Sequence, residues 1–246
     1  MIESAAPIRL LIHGASGRMG RALLRLAVED AQFSRRFRPV AAVVGRDPEA
    51  VGGLGVPVIH VARLDSTPEF DLAVDFSVPA GFDAVLSLCL ERRSALVSGT
   101  TGLSEAQFDA IEAAGQKIPI LWAANFSLGV LVATELARRA AALLAAWDCD
   151  IVEAHHSGKR DAPSGTALAL GAAVAAGSGR PPHYASLRAG DIVGEHTVQF
   201  AGIGERLEIV HRASDRDIFA RGALLAASRL HGRPAKRYAL SELMGV

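Results

Sequence analysis

The chain has 246 residues, of which 50% are hydrophobic, so it can bury a large core and is predicted to form one or two domains. Its 26 Lys and Arg residues balance 26 Asp and Glu residues, so no global field attracts nucleic acid or an anionic membrane. Cys89 and Cys149, its only cysteines, provide neither a disulfide framework nor zinc-ligand spacing. Since there is no basic leader and no apolar run of about 18 residues, we expect a cytoplasmic protein that recognises a small ligand.

Short apolar runs alternate with helical patterns in the first half of the chain. This alternation is typical of a parallel sheet with helices on both faces. The predicted strands are 8–12, 40–44, 72–76, 95–97 and 118–122, and the predicted helices are 18–29, 79–92 and 104–114. The first half is therefore predicted to be an α/β domain.

The pattern changes after Gly129 and indicates a second unit of the mixed α+β type. Residues 192–213 alternate as strands do, with Leu207, Ile209 and His211 on one face. The other predicted elements are a helix at 131–146, a strand at 151–153, a helix at 164–176 ended by Gly177, and a loop at 179–182.

A glycine-rich turn directly follows the first predicted strand and opens the first predicted helix. Glycines at this place let backbone amides approach a pyrophosphate, and the helix N-terminus adds partial positive charge. The spacing is Gly-x-x-Gly-x-x-Gly, and a simple tight turn remains the alternative. The predicted cofactor-binding residues are Gly14, Ala15, Ser16, Gly17, Arg18 and Met19.

The end of the second predicted strand bears on which nicotinamide cofactor is used. An acidic residue there holds a ribose hydroxyl, whereas a cation accommodates a 2′-phosphate. Here Gly45 offers no carboxylate and Arg46 can bind a phosphate, although Asp47 could still reach a ribose. NADPH is therefore favoured over NADH, and a solvated turn is the alternative.

Two later loops follow the carboxyl ends of predicted strands, where open α/β sheets bind ligands. Their hydroxyls, amides and one aromatic edge suit a nicotinamide. Each loop could instead be an ordinary connection, with Thr100 or Asn125 as a helix cap. The predicted cofactor residues are Gly99, Thr100, Thr101, Ala123, Ala124, Asn125 and Phe126.

The segment at 153–167 concentrates groups that can transfer protons and hold an anion. His155 or His156 can exchange a proton near neutral pH, and Lys159 can protonate or stabilise developing negative charge. The amides of Gly165 and Thr166 open a predicted helix and can seat a substrate carboxylate. A core histidine beside a surface lysine is the alternative. A metal site is disfavoured because adjacent histidines point in different directions and no cluster completes the ligands.

Motifs spread over nearly the whole chain resemble one known family. They are Gly-Ala-Ser-Gly-Arg-Met-Gly at 14–20, Ser-Gly-Thr-Thr-Gly at 98–102, Ala-Asn-Phe-Ser-x-Gly-Val at 124–130, Glu-Ala-His-His-x-x-Lys-x-Asp-x-Pro-Ser-Gly-Thr-Ala at 153–167 and Arg-Ala-Gly-Asp-Ile-Val-Gly-Glu-His at 188–196. The family is that of the 4-hydroxy-tetrahydrodipicolinate reductases, also called dihydrodipicolinate reductases. The paired-histidine motif is highly specific, whereas the glycine turn alone occurs in many reductases.

This resemblance implies an activity and a set of residue roles. The family reduces a cyclic dicarboxylate, 4-hydroxy-tetrahydrodipicolinate, with NADPH or NADH and loss of water, in diaminopimelate and lysine biosynthesis. His155 and Lys159 would transfer protons, and the substrate would be bound by His156, Gly165 and Thr166. The loops named above would hold the cofactor.

The resemblance also implies an architecture. A Rossmann-like domain would comprise residues 1–126 and 217–246, and a mixed-sheet substrate and oligomerisation domain would comprise 127–216. Homotetramers would form through the second sheet, and a hinge near 127 and 216 would let the domains close. Many relatives carry an acidic residue where this chain has Gly45, which weakens the case for NADH. Some relatives carry a cation where this chain has Val78, which removes one possible contact with the cofactor phosphate.

Two rival functions remain at this stage. A non-catalytic nucleotide sensor would have no need of His155, Lys159 and Thr166 as proton-transfer and anion-binding groups. Another Rossmann reductase acting on a carboxylated cyclic imine is disfavoured by the paired histidines with Pro-Ser-Gly-Thr.

Overall fold

The computed structural model describes residues 6–45 and 51–246. The elements up to residue 126 are β1 (Ile8–His13), α1 (Arg18–Glu29), β2 (Phe37–Val44), β3 (Val58–His60), a 3₁₀ helix (Val61–Ser66), β4 (Leu72–Asp75), α2 (Pro79–Arg92), β5 (Ala95–Ser98), α3 (Glu105–Gly115) and β6 (Pro119–Trp122). The later elements are α4 (Leu128–Leu143), β7 (Asp148–His155), α5 (Gly165–Ser178), β8 (His183–Arg188), β9 (Gly194–Gly202), β10 (Glu205–Ala213), α6 (Asp217–Leu230), β11 (Lys236–Tyr238) and α7 (Leu240–Met244). No helix within the two described ranges is long and apolar enough to cross a membrane.

The chain divides into two compact units. The first unit contains the residues up to Phe126 together with Phe219–Gly245, and the second contains Ser127–Ile218.

The first unit is built on a seven-stranded sheet in the order β11-β6-β5-β4-β1-β2-β3, with every neighbouring pair parallel. The chain runs outward from β1 to β3 and then returns to β4 on the other side of β1. The carboxyl ends of β1 and β4 therefore lie at the point where strand order reverses, which is where such sheets bind ligands. Leu11, Ala73 and Leu96 of the sheet pack with Phe82 of α2 and Ile111 of α3 in the core.

The second unit is a mixed four-stranded sheet in the order β10-β9-β7-β8. β7 pairs in parallel with β8, and β9 pairs antiparallel with both β7 and β10. Helices α4 and α5 cover one face of this sheet. The packed residues are Ala133, Ala137 and Ala141 from α4, Leu170 and Val174 from α5, and Ile151, Val198 and Phe200 from the sheet. The predicted fold class, a Rossmann-like parallel sheet with a second mixed-sheet α+β unit, is confirmed.

The end of α5 differs from the prediction for a steric reason. We expected Gly177 to end the helix, but α5 continues to Ser178 and the left-handed cap is Gly179, with φ +74°. A Cβ on Gly177 would clash with the carbonyl oxygen of Arg138 and would lie 3.0 Å from the Cβ of Ala141. Gly177 therefore permits the close approach of α4 and α5 instead of stopping the helix.

Candidate functional site

The glycine turn joins β1 to α1 at the carboxyl edge of the first sheet. Gly14 has φ +77°, and a Cβ there would lie 2.5 Å from the carbonyl oxygen of Phe76. A Cβ on Gly20 would clash with the carbonyl oxygen of Gly14. Gly17 is the N-cap of α1, so no capping side chain competes for the first-turn amides, which have no partners within the helix. Those amides and the helix dipole suit a phosphate.

The remaining predicted residues of this turn differ in exposure. Ala15 is buried, Ser16 and Met19 are half-buried, and Arg18 is exposed. Arg46, predicted to contact a cofactor phosphate, and Asp47 lie outside the described residues.

A buried carboxylate connects three of the strand ends beside the glycine turn. Asp75, at the end of β4, is 0% exposed. Its oxygens accept hydrogen bonds from His13 Nδ1 at 2.8 Å, from Ser98 Oγ at 2.8 Å and from Thr100 Oγ1 at 2.7 Å. Burial opposes the ionisation of Asp75, but these hydrogen bonds, led by that from His13, hold its pKa below the ordinary value. Asp75 therefore fixes the ends of β1 and β5 relative to β4.

The predicted loop after β5 is held by its own side chains. The hydroxyl of Thr100 donates to Asp75 and accepts from the Ser77 amide at 3.0 Å, and the Thr100 carbonyl accepts from Trp122 Nε1 at 2.8 Å. Thr100 thus has a structural use for its hydroxyl. The neighbouring Thr101 is exposed and Gly99 is half-buried.

An aromatic pair lies under the two later loops. Phe76 and Phe126 pack with ring centroids 5.5 Å apart, and a Cβ on Gly99 would clash with the Phe76 ring. The Phe126 side chain is only 1% exposed, so it belongs to the core. In the same loop, Ala123 and Asn125 are half-buried and Ala124 is exposed, and the Ala123 amide donates to the Ser98 carbonyl at 3.1 Å.

In the second unit, β7 presents His155 beside a buried ion pair. Glu153 and His155 are two residues apart, so their side chains share the face of β7. Glu153 Oε2 accepts from His155 Nδ1 at 2.5 Å and from Arg188 Nη1 at 2.9 Å, and Oε1 accepts from Arg188 Nη2 at 2.7 Å. Burial opposes the ionisation of Glu153, but hydrogen bonds from Arg188, Ser186 and His155 bring its pKa down to about 2. Burial lowers the pKa of His155 below its ordinary value, although Glu153 acts in the opposite direction.

The predicted proton donor lies in the loop after β7. Lys159 Nζ donates to both carboxylate oxygens of Asp161, at 2.8 Å and 2.9 Å. The carbonyl oxygen of Asp161 also accepts from Arg188 Nη2 at 2.6 Å, so the arginine that holds Glu153 also holds this loop. His156 is half-buried, and the Lys159 amide donates to its carbonyl at 3.1 Å.

The predicted anion seat is the start of α5. Ser164 is the N-cap, accepts from the Ala167 amide at 3.2 Å, and lies 3.1 Å from His196 Nε2 through its Oγ. Its own amide donates to Glu153 Oε1 at 3.3 Å. Gly165 is exposed with no atom within 4 Å of the place a Cβ would take, and Thr166 is half-buried. The N-terminus of α5 is therefore connected, through the Ser164 amide, to the Glu153 carboxylate that accepts from His155.

Burial keeps the deeper histidine of this cluster neutral. The ring of His196 lies edge-on to that of His155 with centroids 5.2 Å apart. Burial and the neighbouring His155 lower the pKa of His196 to about 4. Among the described residues, no group of three or more His, Cys, Asp or Glu side chains is arranged to hold a metal ion.

Sequence reasoning assigned no role to several residues that organise these sites. Asp75 and His13 end adjacent strands, and only the strand order shows that they meet. Glu153, Arg188 and His196 lay within segments that carried the family resemblance, but their side chains were given no function. The sequence signal that could have identified them is an ionisable residue at a strand position that faces the core, because burying an unpaired charge is costly.

Comparison with known proteins accounts for both units. Residues 8–126 match the family model described as "Dihydrodipicolinate reductase, N-terminus", and residues 129–244 match "Dihydrodipicolinate reductase, C-terminus". The chain is 61% identical over 238 residues to the 4-hydroxy-tetrahydrodipicolinate reductase of Stenotrophomonas maltophilia strain R551-3, covering 97% of this chain and 98% of the relative. It is 59% identical over 241 residues to the enzyme of that name from Xanthomonas axonopodis pv. citri, covering 98% and 99%.

A solved structure supports the same fold. The dipicolinate-bound dihydrodipicolinate reductase from Paenisporosarcina sp. TG-14 superposes with a TM-score of 0.80 at 23% identity, covering 96% of this chain and 99% of the other. Two family models that together span nearly the whole chain, and relatives near 60% identity, lead to one conclusion: this chain belongs to the dihydrodipicolinate reductase family.

Proposed function

We propose that this chain reduces 4-hydroxy-tetrahydrodipicolinate to tetrahydrodipicolinate, with loss of water, as an NAD(P)H-dependent oxidoreductase of diaminopimelate and lysine biosynthesis. The observation that carries the proposal is the joining, through Glu153, of the His155 imidazole to the open N-terminus of α5. The curated relatives at 59–61% identity carry the name of this activity. The two free cysteines, Cys89 and Cys149, are consistent with a cytoplasmic location.

In this proposal the second unit binds the dicarboxylate and moves protons. The amides at Gly165 and Thr166, with the half-buried His156 imidazole, would bind a substrate carboxylate through hydrogen bonds and the helix dipole. The substrate would compete with Asp161 for the Lys159 ammonium group. Lys159 would then donate the proton that the net reduction consumes, and His155 would exchange a proton beside it.

The first unit binds the cofactor in this proposal. The amides of the first turn of α1 would bind the pyrophosphate, and the loops after β5 and β6 would lie along the nicotinamide. When bound, NAD(P)H supplies the hydride. Because the hydride and the proton both have sources in this scheme, we assign no role to a metal.

Arg46 supports a preference for NADPH, since a guanidinium can bind a 2′-phosphate with two hydrogen bonds and Gly45 offers no acid to the ribose. The test is consumption of NADPH and NADH by the purified protein, with substrate made in place from pyruvate and aspartate semialdehyde by the preceding synthase. We expect turnover that requires the synthase and favours NADPH, and an Arg46→Ala variant with KM raised for NADPH by about 10-fold or more, equivalent to a lost charge-assisted hydrogen bond. The KM for NADH should stay within about twofold, because NADH has no 2′-phosphate for Arg46 to bind. A 10-fold change would require a loss of about 1.4 kcal/mol of binding free energy.

Two results would contradict this proposal at different levels. Folded protein that binds nucleotide but turns over with neither cofactor would indicate the nucleotide sensor or a different imine as substrate. Equal KM changes for both cofactors in Arg46→Ala would remove Arg46 from cofactor choice while leaving the reaction in place.

We also propose that the second unit assembles the chain into a homotetramer. Helices α4 and α5 cover one face of its sheet, and the opposite face carries Val152, Leu187 and Val210, which are 37%, 56% and 40% exposed. Val152 of β7 and Val210 of β10 both pair with Thr197 of β9, so they lie on the same side of the sheet. Leu187 of β8 pairs with Ala154, which is two residues from Val152 on β7 and therefore lies on that side as well. Contact between this face and the same face of a second copy of the chain would bury these aliphatic side chains.

Leu187→Glu is expected to shift the protein from a tetramer to smaller species, because each copy would bring a charge into the apolar contact. The measurement is molar mass by size-exclusion chromatography with light scattering. Leu143→Glu is the matched control, since Leu143 is 86% exposed on α4 and lies away from the sheet face. A Leu187→Glu protein with the mass of the wild-type tetramer, or a monomeric wild type, would contradict the proposed interface.

A further inference from the structure

Glu153 is a buried charged residue that joins His155 to α5, but the proposed reaction gives its carboxylate no chemical role of its own. It is 1% exposed on the inner face of β7. Its carboxylate accepts hydrogen bonds from His155 Nδ1, from both terminal nitrogens of Arg188 and from the Ser164 amide. Removing a carboxylate from water in this way is costly unless every lone pair has a use.

The strand geometry explains why this carboxylate reaches one nitrogen of one histidine. Side chains two residues apart on β7 point to the same face, which places Glu153 next to His155. Arg188 pairs with His155 across β7 and β8, so its guanidinium approaches Glu153 diagonally and binds both oxygens. The arrangement is rigid because it is built on paired strands.

Hydrogen-bond chemistry then fixes the proton on the ring. A carboxylate between an arginine and an amide is ionised and can only accept, so His155 Nδ1 must carry the hydrogen. A neutral imidazole has one N–H, which leaves Nε2 with a lone pair. Nε2 faces Gly194, where a Cβ would lie 3.1 Å away, so glycine there keeps the space beside that nitrogen free of a side chain.

We propose that Glu153 is a positioning residue that fixes His155 as the Nδ1–H tautomer, so that Nε2 is the nitrogen that exchanges protons with the substrate. This inference rests on the proposed function. Nε2 accepts a proton to give an imidazolium whose charge is shared with the Glu153 carboxylate, and the proton leaves from the same nitrogen. The proton that the net reduction consumes still comes from Lys159.

The charged and titratable groups around His155 set the direction of its pH response. Glu153 on β7 favours the imidazolium, whereas Lys159 in the following loop and Arg188 on β8 disfavour it. His196 on β9 faces the ring edge-on and is neutral near pH 7. Removing the Glu153 charge therefore removes a group that raises the pKa of His155, and that pKa falls further below its ordinary value.

The test is Glu153→Gln, which keeps the size of the side chain and removes its charge. The amide can accept from Nδ1 or donate to it, so both tautomers become populated. We expect kcat to fall by at least about 10²-fold, as when a histidine loses its tautomer-fixing carboxylate, with a much smaller change in KM. The acidic limb of kcat against pH should move to lower pH, because His155 stays neutral further into acid.

A second readout does not depend on activity. Nitrogen-15 NMR of the imidazole should show Nδ1 protonated in the wild type and a mixture of tautomers in Glu153→Gln. If that variant does not fold, Glu153→Asp keeps the charge and should retain the position of the acidic limb at a lower rate. Glu135→Gln is the matched control, because the pKa of Glu135 on α4 is likewise lowered to about 2, here by Arg138 and Arg139, but its side chain is partly exposed and contacts no histidine ring among the hydrogen bonds of the described residues.

The outcomes separate this inference from the proposed function. A Glu153→Gln protein with unchanged tautomer and an unmoved acidic limb would overturn the inference even if kcat fell, since a structural loss lowers the rate without moving the limb. A wild type that shows the Nδ1–H tautomer but does not reduce the substrate would overturn the proposed function and leave the tautomer assignment standing.

Discussion

Lys159→Ala is expected to lower kcat by about 10²- to 10⁴-fold, the usual contribution of a positioned proton donor. His155→Ala should produce a loss of the same order. Both residues lie in the second unit, whereas the predicted cofactor residues lie in the first. The Kd for NADPH, measured by fluorescence titration without substrate, should therefore stay within about twofold of the wild-type value in either variant.

The double variant sharpens this prediction. When two residues act together on one transition state, removing both lowers kcat little more than removing one of them. The double variant, His155→Ala with Lys159→Ala, should therefore have a kcat close to that of the less active single variant. Lys236→Ala is the control, because Lys236 pairs with a nearby carboxylate, Glu242, as Lys159 pairs with Asp161, but belongs to the first unit. Near-normal turnover in both single variants would refute the assignment of proton transfer to this pair.

Asp75→Asn is expected to lower the free energy of unfolding by about 1–3 kcal/mol, the cost of leaving buried hydrogen-bond donors without their acceptor. The amide replaces an acceptor of three side-chain hydrogen bonds with a group that can satisfy only some of them. Because Asp75 holds Thr100 and Ser98 against the end of β1, the KM for NADPH should rise as well.

The pH dependence of this effect has a definite sign. The pKa of Asp75 is lowered in the folded chain, so its contribution is complete above the unfolded carboxyl pKa of about 4 and is lost as the pH falls through the lower folded value. Urea denaturation of wild type and variant, followed by circular dichroism, should give its largest difference near pH 7 and a smaller one in strong acid.

The sheet provides its own control for Asp75. Asp71 pairs with Arg9 across the other end of the same two strands, with Arg9 Nη2 2.7 Å from Oδ1, but both side chains are partly exposed. Asp71→Asn should therefore change stability far less than Asp75→Asn. Equal losses from the two variants would show that burial of the His13 and Asp75 pair adds nothing to its strength.

Local sequence patterns predicted the elements that are amphipathic or bounded by strong signals. The helices at Arg18–Glu29 and Pro79–Arg92 have the predicted bounds, because a glycine turn begins one and Pro79 begins the other. β8 was not predicted, since its residues are mostly exposed and show no apolar alternation. β11 was missed because it is only three residues long.

The site was predictable where chemistry is concentrated in one segment and not where it is assembled from distant strands. His155, His156 and Lys159 stand out because they are neighbours in sequence. Asp75 reaches His13 across 62 residues and Thr100 across 25, distances that no local window spans. The burial of the Phe126 ring against Phe76 is likewise a product of tertiary packing, and the predicted contact of Phe126 with the cofactor stays a prediction.

The glycine turn has a consequence for how distant members of this fold are recognised. Gly14 and Gly20 are required by the backbone of the protein itself, since any side chain would strike the Phe76 or Gly14 carbonyl. A descendant that had lost its nucleotide would keep both glycines in order to fold. A Cβ on Gly17 would lie 3.2 Å from the Gly14 carbonyl oxygen, a contact that a small shift relieves. If the turn binds the cofactor as we propose, we expect substitution at Gly17, and not loss of the whole pattern, in a relative that no longer binds it.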